Sequence, residues 1–323
     1  MKKFLLPIII LLLILAIWVA LPRLSPQPTL IKIALNEWPS YAVIPYGIEK
    51  GIFLKHGVNV RATYIENLPE LNRRVAEDEF DGMTAVFSDL ISFMQNDIPM
   101  KGVAIVDQSV SGDVILASPD IKSFSDLKGK RVGFETVNSF SHLFTVKLLE
   151  KNGLKQSDVL FENVLARQIP EKIASGEIVA GHTFNPTKAR GLKMGQKILA
   201  QAGDIPGLIT EVIAFHGAFL KTHPADIKKF IAAYFEAQSD MLKDYLAAAK
   251  VVQPFFQNDP EQFAATFKEI KFTDLKENRK LFSENDPHNM ASIIKEIGDF
   301  YVQRGQIPNS ETLRQLYTDE FLP

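Results

Sequence analysis

Apolar and polar positions alternate along the chain with two periods. Short runs rich in β-branched residues at 30–35, 58–65 and 83–87 are separated by helically spaced stretches at 41–54 and 68–79, and by a helix opening at Ser88-Asp89. Strand-like runs return at 103–107 and 113–117. This order predicts a mostly parallel sheet with helices on both faces. Ser118-Pro119 breaks it, and a second α/β series follows. Strands are expected at 131–135, 159–164, 178–183 and 197–201. Helices are expected from Ser139 or Ser141 to Asn152-Gly153, at 170–175, and from Pro186. After one more strand at 210–215 the pattern turns helical, at 224–250, 260–268 and 288–304.

No third α/β series pairs with these last helices, so they are expected to cover the first lobe. The chain then reads as two lobes, 30–117 with 216–323 and 118–215. Two crossovers join them, near Ala117 and near Phe215. In open α/β sheets ligands bind beyond the carboxyl ends of strands, so the expected site is the cleft between the lobes.

Residues 1–29 carry an address. Met1-Lys2-Lys3 precedes an uncharged apolar run from Phe4 to Leu21, followed by a spacer with Pro22, Pro26 and Pro28. The run fits a secretory signal. It also reaches the roughly 17–25 residues of a membrane span. Cleavage after Ala20 would place the bulky Trp18 where a small residue is wanted, so a cleaved signal and an uncleaved anchor at 4–21 both stand. Either way the rest is exported to the periplasm, free or tethered to the outer face of the inner membrane.

Charge and composition narrow the function. The 36 bases and 38 acids of the 323 residues nearly cancel, and three of the bases (Lys2, Lys3, Arg23) lie in the leader. No basic excess is available for phosphate backbones, which excludes a dedicated nucleic-acid binder. The absence of cysteine excludes thiolate chemistry, cysteine-ligated metals and a lipoprotein anchor. The six histidines show no metal-ligand spacing. No HExxH, GxSxG, P-loop or GxGxxG is present. No cofactor and no catalytic residue is therefore assigned.

The run from Ile33 to Phe53 (IALNEWPSYAVIPYGIEKGIF) resembles the opening of extracytoplasmic solute-binding proteins of ABC importers, of the nitrate/sulfonate/thiamine-precursor type. FDGMTAVFSD (Phe80 to Asp89), SFSDLKGKRVGFE (Ser123 to Glu135), GHTFNP (Gly181 to Pro186) and IPGLITEV (Ile205 to Val212) extend the resemblance in order along nearly the whole exported chain. It implies an α/β, two-lobed periplasmic binding protein fold of type II, closing by hinge motion on a small-molecule ligand. It also implies an ABC permease as partner, a non-enzymatic role and a monomer. A membrane-anchored ligand sensor, and an enzyme akin to thiamine-precursor synthases, are the rival readings.

The strand-end rule yields the candidate ligand contacts. On the first lobe these are Asn36, Glu37, Trp38, Tyr41, Ser88, Asp89, Asp107, Ser109 and Asp113. On the second they are Glu135, Thr136, Asn138, Ser139, Phe184 and Asn185, with Glu211 near the return crossover. Trp38 stands in a turn after its strand has ended, placed to wall the cleft and to stack on a planar ligand or hold a cation over its face. The backbone N–H groups of Thr136 to Ser139, opening a helix, suit a ligand carboxylate or serve as an ordinary cap. Six of the sixteen positions are acidic and none is Lys or Arg. That bias predicts an amine-bearing or zwitterionic ligand rather than nitrate or sulfonate.

Overall fold

The computed structural model describes residues 28–283 and 289–323. The leader and most of its spacer, and His288, lie outside the described residues. Among the described residues no helix is long and apolar enough to cross a membrane.

The first half of the chain contains β1 (Leu30–Leu35), α1 (Val43–Glu49), α2 (Ile52–Lys55), β2 (Asn59–Tyr64), α3 (Leu68–Ala76), β3 (Gly82–Val86), α4 (Leu90–Gln95), β4 (Met100–Ser109), β5 (Val114–Ala117), β6 (Arg131–Phe134), α5 (Phe140–Lys151) and β7 (Leu160–Asn163). It continues with α6 (Ile169–Ala174), β8 (Ala180–Thr183), α7 (Thr187–Lys193), β9 (Lys197–Gln201) and β10 (Thr210–His216). Then follow α8 (Gly217–Thr222), α9 (Pro224–Met241), α10 (Tyr245–Phe256), α11 (Pro260–Thr266), β11 (Ile270–Phe272), α12 (Leu275–Leu281) and α13 (Met290–Gln303). Helix starts are set by side-chain caps. Asn67, Asp244, Asp259 and Asp274 each accept a backbone N–H from three residues on.

Two sheets form, in the orders β11-β4-β10-β3-β1-β2 and β7-β6-β8-β5-β9. Both are mixed rather than mostly parallel. β1 pairs parallel with β2 and β3, and β6 with β7 and β8, whereas β10, β11, β5 and β9 all pair antiparallel. Gly82 is required where β3 meets β10, because a Cβ there would fall 2.5 Å from the Ala214 carbonyl oxygen.

Sheet membership moves both crossovers. β5 belongs to the second sheet and β10 to the first, so the chain changes sheet at 110–113 and again at 202–209, not near Ala117 and Phe215. The expected lobe edges shift accordingly, by the length of one short strand each. The stretch expected as one helix over 41–54 is a 3-10 turn (Pro39–Ala42) plus α1 and α2, separated where Gly51 adopts a left-handed φ of 68°. The helix expected over 224–250 divides into α9 and α10, with Asp244 capping the second.

One apolar core joins α1, α2 and the α9–α11 helices to one face of the first sheet through Ile33, Phe53, Phe230 and Phe263. These helices cover the first sheet. α13 does more. Its Ile294 and Phe300 share a core with Leu143 and Phe144 of α5, and the Tyr301 hydroxyl donates to the Asn138 carbonyl at 2.8 Å. The last long helix thus straps the second lobe to the first.

Candidate functional site

A cavity lies where the two sheets face each other. Its wall includes Asn36, Glu37, Trp38, Tyr41, Asp89, Asp113, Phe184 and Glu211, eight of the sixteen residues expected from strand ends. Leu68, Ala85, Val86 and Phe140 complete it. Its volume is about 30 Å³, room for water rather than for an organic solute, so the lobes stand closed on each other.

Trp38 follows β1 and is 6% exposed. Its Nε1–H donates to Asp107 Oδ2 at 2.9 Å, and the edge of its ring meets Phe184 of the second lobe at 6.0 Å and 74°. Gly112, on the first crossover, admits the indole: a Cβ there would sit 2.8 Å from Trp38 Cη2. Tyr41 donates its hydroxyl to Glu211 Oε2. Glu211 and Asp107 are register partners on β10 and β4, so two carboxylates stand side by side on one sheet. Asp107 is fully buried just behind the wall, reaching the cavity through Trp38 and Glu211.

The other two carboxylates join the lobes. Asp89 Oδ1 accepts the Phe140 N–H at the start of α5, at 3.3 Å. Asp113, on the crossover, faces His182 Nε2 at 2.9 Å, both side chains wholly buried. His182 sits among the rings of Phe140, Phe144 and Phe184. On each of Asp89, Asp107 and Asp113 the second carboxylate oxygen is buried with no hydrogen-bond partner. Burial pushes the Asp89 and Asp107 carboxyls up to about 7 and raises Glu211 well above its ordinary value, with the Asp107 charge adding to the last. Glu37, held by Asn258 and Tyr64, is also raised by burial.

The remaining candidates fall outside the cavity wall. Ser88 is buried beside it with its hydroxyl unpartnered. Ser109 holds the crossover by accepting the Asp113 N–H at 3.1 Å. Glu135 accepts the Ala166 N–H within the second lobe. Asn185 donates to Glu269 Oε2 at 2.8 Å and caps α7 through the Ala189 N–H. In the Thr136 to Ser139 loop two of the N–H groups are already engaged, Asn138 on His142 Nδ1 and Ser139 on the Thr136 carbonyl. Ser139 also caps α5, while the Asn138 carbonyl faces α13.

Phe140, like Leu68 at the start of α3, is a wall residue that strand ends do not reveal. It enters from the first turn of α5, one residue beyond the cap, a position the strand-end rule does not sample. Among the described residues no group of three or more His, Asp or Glu side chains is arranged to hold a metal.

A model of the NMT1/THI5-like family matches residues 38–246, which include every wall residue but Asn36 and Glu37. The chain belongs to the NMT1/THI5-like family. A Haemophilus influenzae protein named for thiamine biosynthesis is 20% identical over 308 residues, 94% of this chain and 95% of that one. The 4-amino-5-hydroxymethyl-2-methylpyrimidine phosphate synthase of Schizosaccharomyces pombe is 23% identical over 228 residues, 65% of each chain. Among solved structures, the periplasmic aliphatic sulphonate binding protein SsuA of Escherichia coli superposes with a TM-score of 0.73 at 15% identity, over 90% of this chain and 97% of that one. The fold is that of the periplasmic binding proteins of type II. The relatives share the scaffold, and the wall must supply the specificity.

Proposed function

We propose that this chain is a non-enzymatic solute-binding protein. It closes its lobes on a small, flat, amine-bearing molecule outside the cytoplasm and delivers it to an ABC-type import permease. The observation that carries the reading is the cavity wall itself. Asp89, Asp113 and Glu211 converge between the aromatic faces of Trp38, Phe140 and Phe184, and no wall residue is Lys or Arg. A desolvated carboxylate cluster repels nitrate or a sulfonate and rewards a cation, and one charge-assisted hydrogen bond is worth roughly 1.5–3 kcal/mol. The family's thiamine-related names point to an aminopyrimidine as the first ligand to try.

Thermal-shift and calorimetric titration of the exported chain tests this. The panel is 4-amino-5-hydroxymethyl-2-methylpyrimidine, small amines, methanesulfonate and nitrate. A ligand at about 100 times its dissociation constant adds roughly 2.7 kcal/mol of stability, enough to read as a shift. Stabilisation by an amine supports the proposal; stabilisation by methanesulfonate or nitrate with no response to any amine refutes it. The synthase among the relatives supplies the second reading, an enzyme on this scaffold, and conversion of a bound aminopyrimidine on prolonged incubation would favour it.

A further inference from the structure

Four buried carboxylates with few hydrogen-bond partners pose a charge problem. Trp38 N–H serves Asp107, the Tyr41 hydroxyl Glu211 and the Phe140 N–H Asp89, while Asp113 faces His182. None of these partners is a Lys or Arg. Asp107 and Glu211 stand directly opposite each other across β4 and β10, and Asp89 follows β3, the strand on the other side of β10. Buried like charges this close cannot all ionise without a counter-charge, because burial weakens solvent screening and no Lys or Arg lines the wall.

We propose that the cleft exchanges protons for its ligand: seating one positive charge of the ligand expels about one proton to solvent from the carboxylates Asp107, Glu211 and Asp89. This rests on the cationic-ligand reading above and adds its regulation by pH. The unpartnered oxygens of Asp89 and Asp113, both on the wall, are the acceptors that the incoming N–H groups, or a quaternary cation's polarised methyl groups, would occupy, while Asp107 acts from behind through Trp38 and Glu211.

The other titratable groups facing the cluster do not remove the need for protons. Glu37 and Glu135 add further negative charge from the loops after β1 and β6. Tyr41, Tyr234 and Tyr301, from the turn after β1, from α9 and from α13, are held neutral by burial and by these carboxylates. His182 faces Asp113 alone among the four acids by direct hydrogen bond. Burial holding Asp89 and Asp107 at about 7 places the exchange in the neutral range.

The test uses a ligand that cannot itself titrate. The full exported chain is titrated calorimetrically with tetramethylammonium, choline and N-methylpyridinium, in phosphate and in Tris, whose ionisation heats differ strongly. With the tightest of the three, the heats should differ by about one proton per ligand near neutrality, and affinity should rise up to about tenfold from pH 6 to pH 7. Asp107→Asn, which keeps an acceptor for the Trp38 N–H, should reduce the proton count. Should that variant not fold, the buffer dependence of the unaltered protein decides alone. Binding with equal heats in both buffers and constant affinity from pH 6 to 8 overturns the exchange while leaving the cation reading intact. Failure of all three cations to bind overturns both.

Discussion

Asp89 gives the sharpest prediction, because one isosteric change should move stability and affinity in opposite directions. The Asp89 carboxyl is 6% exposed, accepts one N–H from Phe140, and is held by burial at about 7 against an ordinary 3.8. For an acid raised on folding, the stabilising contribution is complete below the unfolded value and is lost as pH rises through the folded one. Between roughly pH 4 and pH 7 the unliganded protein must therefore lose stability on account of this group. Each pKa unit is worth about 1.4 kcal/mol, so ionising Asp89 in place costs at most roughly 4 kcal/mol, and about half that once the site relaxes around the charge.

Asp89→Asn removes the titration and keeps an oxygen for the Phe140 N–H. At about pH 3.5 the variant should match the parent, and at about pH 8.5 it should be more stable by about 2–4 kcal/mol, a rise in melting temperature of roughly 4–8 °C. The same change should weaken a cationic ligand by about 10–100-fold, the worth of one charge-assisted contact. Melting curves at the two pH values and one calorimetric titration suffice. A stability gain equal at both pH values, or none at pH 8.5, refutes the argument that Asp89 is strained by its own charge.

Three further outcomes are expected. Gly112→Ala should push the Trp38 indole off its seat, costing about 1–3 kcal/mol and changing the emission of a Trp18→Phe background, where Trp38 is the sole tryptophan; unchanged emission would show that the indole does not rest on the crossover. In that same background Trp38 emission should change on ligand binding, and a flat response with calorimetrically proven binding would place the ligand elsewhere. His182→Ala should destabilise by about 3–5 kcal/mol, since Asp113 would be left buried without its partner, and a loss under 1 kcal/mol in urea unfolding would show that the pair carries little of the closed structure.

Part of this site is legible in the sequence, for a definable reason. Strand ends are local events. The turn Asn36-Glu37-Trp38 and Asp89 announce themselves where a β-branched run stops, and Asp113 and Glu211 where one begins beside a crossover. What the chain does not announce is which sheet a strand will join. Val114–Ala117 is apolar on both faces, and so is Thr210–His216, so periodicity is satisfied in either sheet and both crossovers were placed a strand too late. Partner identity is equally hidden. Trp38 with Asp107, Tyr41 with Glu211 and Asp89 with Phe140 are separated by 69, 170 and 51 positions, and only tertiary packing makes them neighbours. The Thr136 to Ser139 loop turns its Asn138 carbonyl to α13 on the same ground, since nothing local foretells that this helix faces it.

The displaced crossover changes what the cleft can do. The segment 110–113 joins the lobes and also supplies Asp113 to the wall and Gly112 to the Trp38 seat. The N–H groups of Val110, Ser111 and Gly112 all converge on the Glu269 carbonyl, at 3.1, 2.9 and 3.2 Å, which fastens the segment to the first lobe. The Glu269 carboxylate meanwhile receives Lys188 at 2.8 Å and Asn185 at 2.8 Å from the second lobe. Opening must break these two contacts and the Asp89–Phe140 bond, and it must also part Trp38 from Phe184. The Asp89–Phe140 and Trp38–Phe184 contacts lie in the cavity wall itself. On the cationic-ligand reading, a ligand that neutralises the wall would therefore also hold these closing contacts, whereas an anion of the same size would meet the carboxylates' repulsion at the same place.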